Sequence, residues 1–207
     1  MSVGRIALIL LGILISAGAC QRVLDKMGLT DRQALLFVAA ILVGGLLPDV
    51  PIGNSVRVNL GGAAAPLALA VYVWAKADSG AERGRALLAV LVTACAMFLL
   101  ARYFPNEPEK MPFDINYLYG IAAGIIAYAF GRSRRGAFIA GTAGTALSDI
   151  AQNVLLRASG VEQTLRLGSA GLMDVIVISG VLATLLAELT GEYLERCARG
   201  AERRKAK

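Results

Sequence analysis

Residues 136–154 read GAFIAGTAGTALSDIAQNV, and residues 168–190 read GSAGLMDVIVISGVLATLLAELT. Each run has about the length a helix needs to cross a hydrocarbon core, roughly 20 residues for about 30 Å. Each also carries an aspartate, Asp149 in the first and Asp174 in the second. Toward the N-terminus, further apolar segments stand at roughly 3–20, 33–50, 59–77, 86–102 and 117–131, marked by sustained hydrophobicity rather than by alternation. The expected fold class is all-α: a polytopic transmembrane helix bundle of about seven spans. It fills residues 1–190 and is followed by a basic tail at 191–207.

Composition agrees. The chain has 207 residues, 57% of them hydrophobic, and a mean hydropathy of +0.63, which is too apolar for a domain that must keep a polar surface in water. Seven spans with short loops leave no room for a large soluble domain. Histidine is absent, and Cys20, Cys95 and Cys197 are scattered with no CxxC spacing. That argues against a zinc, haem or iron–sulfur site and against a disulfide framework. No phosphate-binding GxxxxGK[ST] or dinucleotide fingerprint is present, so no cofactor is expected. The net charge of +6 comes mostly from Arg196, Arg199, Arg203, Arg204, Lys205 and Lys207. These directly follow a hydrophobic span, so anionic lipid headgroups, not nucleic acid, are the expected partner of the tail.

The basic residues also set a direction. With the N-terminus outside, the cytoplasmic connections hold Arg22, Lys26 and Arg32; Lys76, Arg83 and Arg85; Arg132, Arg134 and Arg135; and the tail. The outer side keeps only Arg5, Arg57, Arg102, Lys110, Arg157 and Arg166. An extra or missing span would scramble this alternation, so the expected location is the inner (plasma) membrane, multi-pass. A rival reading takes residues 5–20 as a secretory segment ending in a lipid-accepting Cys20. It has Ala17 where leucine is usual, and it would put Arg22, Lys26 and Arg32 outside, against the charge rule.

An ionisable side chain inside a bilayer costs at least about 2.5 kcal/mol, so each one needs a reason. Asp149 lies about six residues before the outer end of its span and Asp174 about six after the start of the next, so both sit about 9 Å deep. The two helices are expected to be antiparallel neighbours. Thr142, Thr145, Asp149, Gln152 and Asn153 fall on one helical face that should point into the bundle. Gly171, one turn before Asp174, leaves space beside that carboxylate. Asn59, Gly62, Ala63 and Pro66 make another small and polar face, where the proline would free the carbonyl of Gly62. The bland reading of Asp49, Asp114 and Asn116 is solvated turns, and that of Asp149 and Asp174 is structural carboxylates bonded inside the bundle. Gly120 and Gly124 form a GxxxG that marks helix packing. Tyr117, Tyr119 and Trp74 read as interfacial anchors.

Several of these elements together resemble a family. They are Gln21 to Lys26, Leu29 to Leu35, the Asn59-Leu60-Gly61-Gly62-Ala63 run with Pro66, the Tyr117-Leu118-Tyr119-Gly120 start, and Asp149 with Asp174. The resemblance is to an uncharacterised family of bacterial and archaeal polytopic membrane proteins, a domain of unknown function. It covers almost the whole chain and implies a membrane fold without an activity.

Three functions compete. The first is a channel or carrier for an ion, proton or small solute, with Asp149, Asp174, Asn59, Asn153 and Thr145 as binding groups and Gly61, Gly62, Pro66 and Gly171 as packing or broken-helix positions. All-oxygen ligands would favour hard cations. Seven spans are few for a carrier, which a homo-oligomer would answer. The second is a non-catalytic assembly or sensor protein. The third is an intramembrane aspartyl protease, in which two carboxylates share a proton to activate water. For that class Gly171-Leu172-Met173-Asp174 departs from the Gly-x-Gly-Asp motif. Whether the protein is an enzyme stays open at this point.

Overall fold

A computed structural model describes residues 21–103 and 115–205, together with Ile13. The segment at 3–20 with its rival reading at Cys20, and the outer loop with Lys110 and Asp114, lie outside the described residues.

The described chain is mostly helical: α1 (Gln21–Met27), α2 (Asp31–Gly44), α3 (Ala65–Ala75), α4 (Gly80–Tyr103), α5 (Ile115–Gly131), α6 (Arg134–Ala158) and α7 (Val175–Lys205). The start of α2 is the capping box expected from Thr30 to Gln33: the Thr30 hydroxyl accepts from the Gln33 amide, and the Gln33 side chain accepts from Thr30 N–H. Ser133 caps α6 by accepting from Gly136 N–H at 2.9 Å. The last helix does not stop at residue 190 but runs on to Lys205.

Among the described residues, two helices are long and apolar enough to cross a membrane: Gly80–Tyr103 and the Val175–Tyr193 part of α7. The other expected spans differ for physical reasons. With 14 residues, α2 reaches only about 21 Å. The segment expected at 59–77 is one apolar helix, Leu60–Ala75, that begins with a π-helical turn, Leu60–Ala64, and continues as the 11-residue α3. Helix α5 has 17 residues. Helix α6 has 25, but Thr142, Thr145, Ser148, Asp149, Gln152 and Asn153 dilute its hydrophobicity.

Packing is inverted relative to a water-soluble bundle. Along α4 the buried face is Ala86, Ala89, Val90, Thr93, Ala94 and Met97, whereas Leu87, Leu88, Leu91 and Leu99 point outward. Only 33% and 39% of the two long apolar windows are buried. Alanines 89, 127, 137, 140, 183 and 187 cluster at the meeting of α4, α5, α6 and α7. Small residues let these helices approach closely. A Cβ on Gly120 would stand 2.7 Å from Ile178 and one on Gly124 2.9 Å from Leu182, so the GxxxG packs α5 on α7. Gly141 meets the α7 backbone at Ser179 and Gly180, where the Ser179 hydroxyl donates to the Gly141 carbonyl at 2.9 Å.

A sheet that periodicity did not predict lies beside the bundle. Strands β1 (Val50–Ile52) and β2 (Val56–Val58) form an antiparallel hairpin, and β3 (Leu165–Leu167) joins β2 in parallel, with Arg57 opposite Arg166. At the start of α6, Arg134 pairs with Glu188, and Arg135 pairs with Asp78 at 2.8 Å and Glu82 at 3.8 Å. These pairs stand about 22 Å along α6 from Asp149, at 1.5 Å per residue.

Candidate functional site

Helix α6 supplies the floor of the site. Thr145, Ser148, Asp149, Gln152 and Asn153 recur at helical spacing and line one open cavity of about 590 Å³. The beginning of α5 adds Asn116 and Tyr119, the end of α4 adds Met97 and Ala101, and the 163–170 connection adds Gln163, Thr164, Arg166 and Ser169. Asp174 and Val175 close it at the start of α7. The expected convergence of Asp149 and Asp174 on one space is therefore seen. Thr142, expected on the same face, instead borders a separate apolar cavity lined by Phe37, Leu69 and Phe138.

The two carboxylates are held differently. Asp174 precedes α7 with extended backbone and caps it: one carboxylate oxygen accepts from Ile176 N–H at 3.1 Å and the other from Ala170 N–H at 3.4 Å. It is an N-cap aspartate pinned by two amides. Asp149 accepts no hydrogen bond among the described residues. Like charges act along this row, Asp174 on Asp149 and Asp49 on Asp174. Among the described residues no group of three or more acidic or thiol side chains stands together to hold a metal ion.

The neutral groups are partly committed. The Thr145 hydroxyl donates back to the Gly141 and Thr142 carbonyls at 2.7 and 3.0 Å. Gln152 donates to the Ser148 hydroxyl at 3.2 Å. Asn153 donates to the Gln163 carbonyl at 3.3 Å, which ties α6 to the connection that forms the opposite wall. Arg157 holds the same connection by donating to the carbonyls of Ser55 and Gln163.

Asn59 does not line this cavity. It is 4% exposed, its side-chain oxygen accepts from Gly61 N–H and Gly62 N–H at 3.0 and 2.8 Å, and its amide nitrogen donates to the Leu47 carbonyl and to Asp49. Every hydrogen-bonding direction of the amide is occupied by the turn it caps. At Gly61, Gly62 and Gly171, expected as packing or broken-helix positions, backbones cross closely. Gly61 lies against Ile41 and Gly45, and Gly62 against Gly168 and Gly171. Gly168 and Gly171 take left-handed φ values of 73° and 59°, which only glycine adopts at low cost. Pro66 sits in the first turn of α3, where its missing N–H is harmless.

Ser148 and Arg166 were not among the expected site residues. Ser148 lies three residues after Thr145 and four before Gln152, so helical spacing carried the signal. Arg166 sits between two leucines in Leu165-Arg166-Leu167, an alternation that turns it to the opposite side of the strand from the buried Leu167. Because Asp174 caps α7, Asp174→Ala is expected to lower stability by about 1 kcal/mol and Asp174→Asn to leave it nearly unchanged, as read from thermal midpoints in detergent.

One family matches the chain: it is described as a protein of unknown function (DUF1614), and the match spans residues 23–186. No curated protein and no solved structure matches it.

Proposed function

We propose that this chain, which belongs to the DUF1614 family of proteins of unknown function, is a multi-pass protein of the inner (plasma) membrane whose polar cavity binds a small solute or ion arriving from the outer face, as in a carrier or channel. The observation that carries this reading is the cavity itself: an uncommitted carboxylate, Asp149, shares about 590 Å³ of open space with Asp174 and with amide and hydroxyl side chains. A bundle that only needed its polar groups as helix glue would close them on one another.

The membrane placement rests on the outward leucines of α4 and α7, the alanine-rich interior, and the distribution of arginines and lysines. In this reading the helices complete about seven crossings, the ion pairs of Arg134 and Arg135 lie at the cytoplasmic end, and the small sheet and the cavity face outward. The basic tail lies along anionic headgroups, and a homo-oligomer supplies the additional spans that a transport path requires. An aspartyl protease is less well supported, because Asp174 already accepts from two backbone amides and so is poorly disposed to exchange a proton with a water molecule.

Labelling tests the reading. In a variant with Cys20, Cys95 and Cys197 replaced by serine, Asp149→Cys is expected to react with a membrane-impermeant maleimide added to intact cells. Leu185→Cys, on the apolar cavity, is expected to stay unmodified. Labelling of residue 149 only after the membrane is opened, or from neither side, would overturn an outward-facing site.

A further inference from the structure

Resting on that reading of the cavity, we infer that its occupant is a small organic zwitterion of amino-acid size, with its ammonium group on Asp149 and Asp174 and its carboxylate on Arg166. Three observations carry the assignment.

Size comes first. A cavity of about 590 Å³ has room for roughly 20 waters at about 30 Å³ each. A calcium or magnesium ion needs six or more oxygens within about 2.6 Å, and no acidic cluster among the described residues is close enough to supply them. A bare ion would be left largely hydrated in this space.

Charge comes second. The cavity is lined by both signs, with Asp149 within α6, Asp174 just before α7 and one guanidinium on β3. Elsewhere opposite charges pair directly, Arg134 with Glu188 and Arg135 with Asp78 and Glu82. Here they do not: among the described residues neither Asp149 nor Asp174 forms an ion pair with Arg166. Arg166 is exposed at the cavity wall while Asp149 and Asp174 are half-buried, so opposite charges that line one open cavity without touching are left available to a solute. A molecule bearing both charges satisfies them at once.

Geometry comes third. A guanidinium offers a planar fork that takes a carboxylate with two parallel hydrogen bonds. An ammonium offers three donors, and Asp149 has all its acceptor positions open. Asp174, pinned by the amides of Ala170 and Ile176, gives the ammonium a fixed second acceptor. The ligand is thereby oriented, its ammonium toward the helices and its carboxylate toward the sheet.

The test uses the full-length protein in detergent and a panel of free L-amino acids. Each is paired with its carboxamide, which lacks the carboxylate, and its N-acetyl derivative, which lacks the ammonium; sodium and calcium chloride serve as bare-ion probes. At least one amino acid is expected to bind by isothermal titration and to raise the thermal midpoint, with both derivatives weakened tenfold or more. Arg166→Gln is expected to weaken the amino acid at least tenfold and leave its carboxamide unchanged. Asp149→Asn is expected to weaken both. The unliganded midpoints of the variants should stay at the wild-type value, since neither side chain holds an ion pair. Equal binding of amino acid and carboxamide, together with indifference to Arg166→Gln, would overturn the zwitterion and leave a site for cationic solutes. Binding of the salts alone would overturn it in favour of an ion site. Absence of all binding would overturn it too, and only a failure of outside labelling at residue 149 would remove the underlying reading.

Discussion

Alanine at Gly62 is expected to prevent the protein from accumulating as a folded, monodisperse species in detergent. Gly62 lies in the π-helical turn Leu60–Ala64, where the chain passes directly over the Gly168–Gly171 loop. A Cβ built there would penetrate the carbonyl oxygen of Gly168 and stand 2.8 Å from that of Gly171. Neither obstacle is the free end of a side chain. Gly168 in turn lies against the backbone of Gly62 and Ala63, so the two segments meet backbone to backbone with no side chain between them to give way. Overpacking that side chains can absorb costs about 1–3 kcal/mol. Here the backbone of two segments must part, so the loss should exceed about 3 kcal/mol, a large share of the 5–15 kcal/mol typical of a domain. Gly84→Ala, in α4 where nothing lies within 4 Å, is the control and should be neutral or stabilising by about 0.5–1 kcal/mol. Size-exclusion profiles of the two variants decide it; a normal Gly62→Ala profile would mean that the crossing is looser than described.

A second large effect is expected from Asn59→Asp, a change of almost no volume. The carbonyl side of Asn59 would survive, because a carboxylate also accepts from Gly61 N–H and Gly62 N–H. The amide side would not. Its two donors, to the Leu47 carbonyl at 3.3 Å and to Asp49 at 3.1 Å, would be replaced by an acceptor facing two acceptors, one of them charged. A buried charge left against a like charge costs about 3–5 kcal/mol. The sign of the pH response follows. Protonating the new carboxyl supplies an O–H donor to Asp49, so the variant should regain stability as pH falls and lose it as pH rises. Wild-type protein has no such proton to gain at residue 59. Thermal midpoints of both proteins across mildly acid to neutral pH measure the difference, and a parallel pair of curves would sink the proposed capping role.

These two positions also show where sequence reasoning reached and where it stopped. Thr30 and Gln33 announced the start of α2 because a capping box is a local device, complete within four residues. That Asp149 and Asp174 would face one space was legible because helical spacing and a short connection bring the end of α6 near the start of α7. Asn59 was legible as unusual but not as a cap: its acceptors at Leu47 and Asp49 lie across a hairpin whose strands are only three residues long. Three residues are too few to establish an alternation. Arg166 was hidden for the same reason, since β3 has three residues and its partner stands more than a hundred positions earlier. The π-helical turn at Leu60–Ala64 and the close backbone crossing at Gly61 and Gly62 were legible only as small and broken-helix positions, because the loops they meet are distant in sequence.

The parallel pairing of β2 with β3 bears on how the protein is made. Residues 56–58 leave the ribosome long before residues 165–167 do, at about 5–20 residues per second. For that interval the β1–β2 hairpin carries an open strand edge, and the Asn59 turn lacks the Gly168 loop on which it rests. That edge of β2 is only three residues long and bears Arg57, a charge that discourages pairing with foreign strands. The three-stranded sheet is thus completed late, only when α6 has been made and its following loop returns to the waiting hairpin.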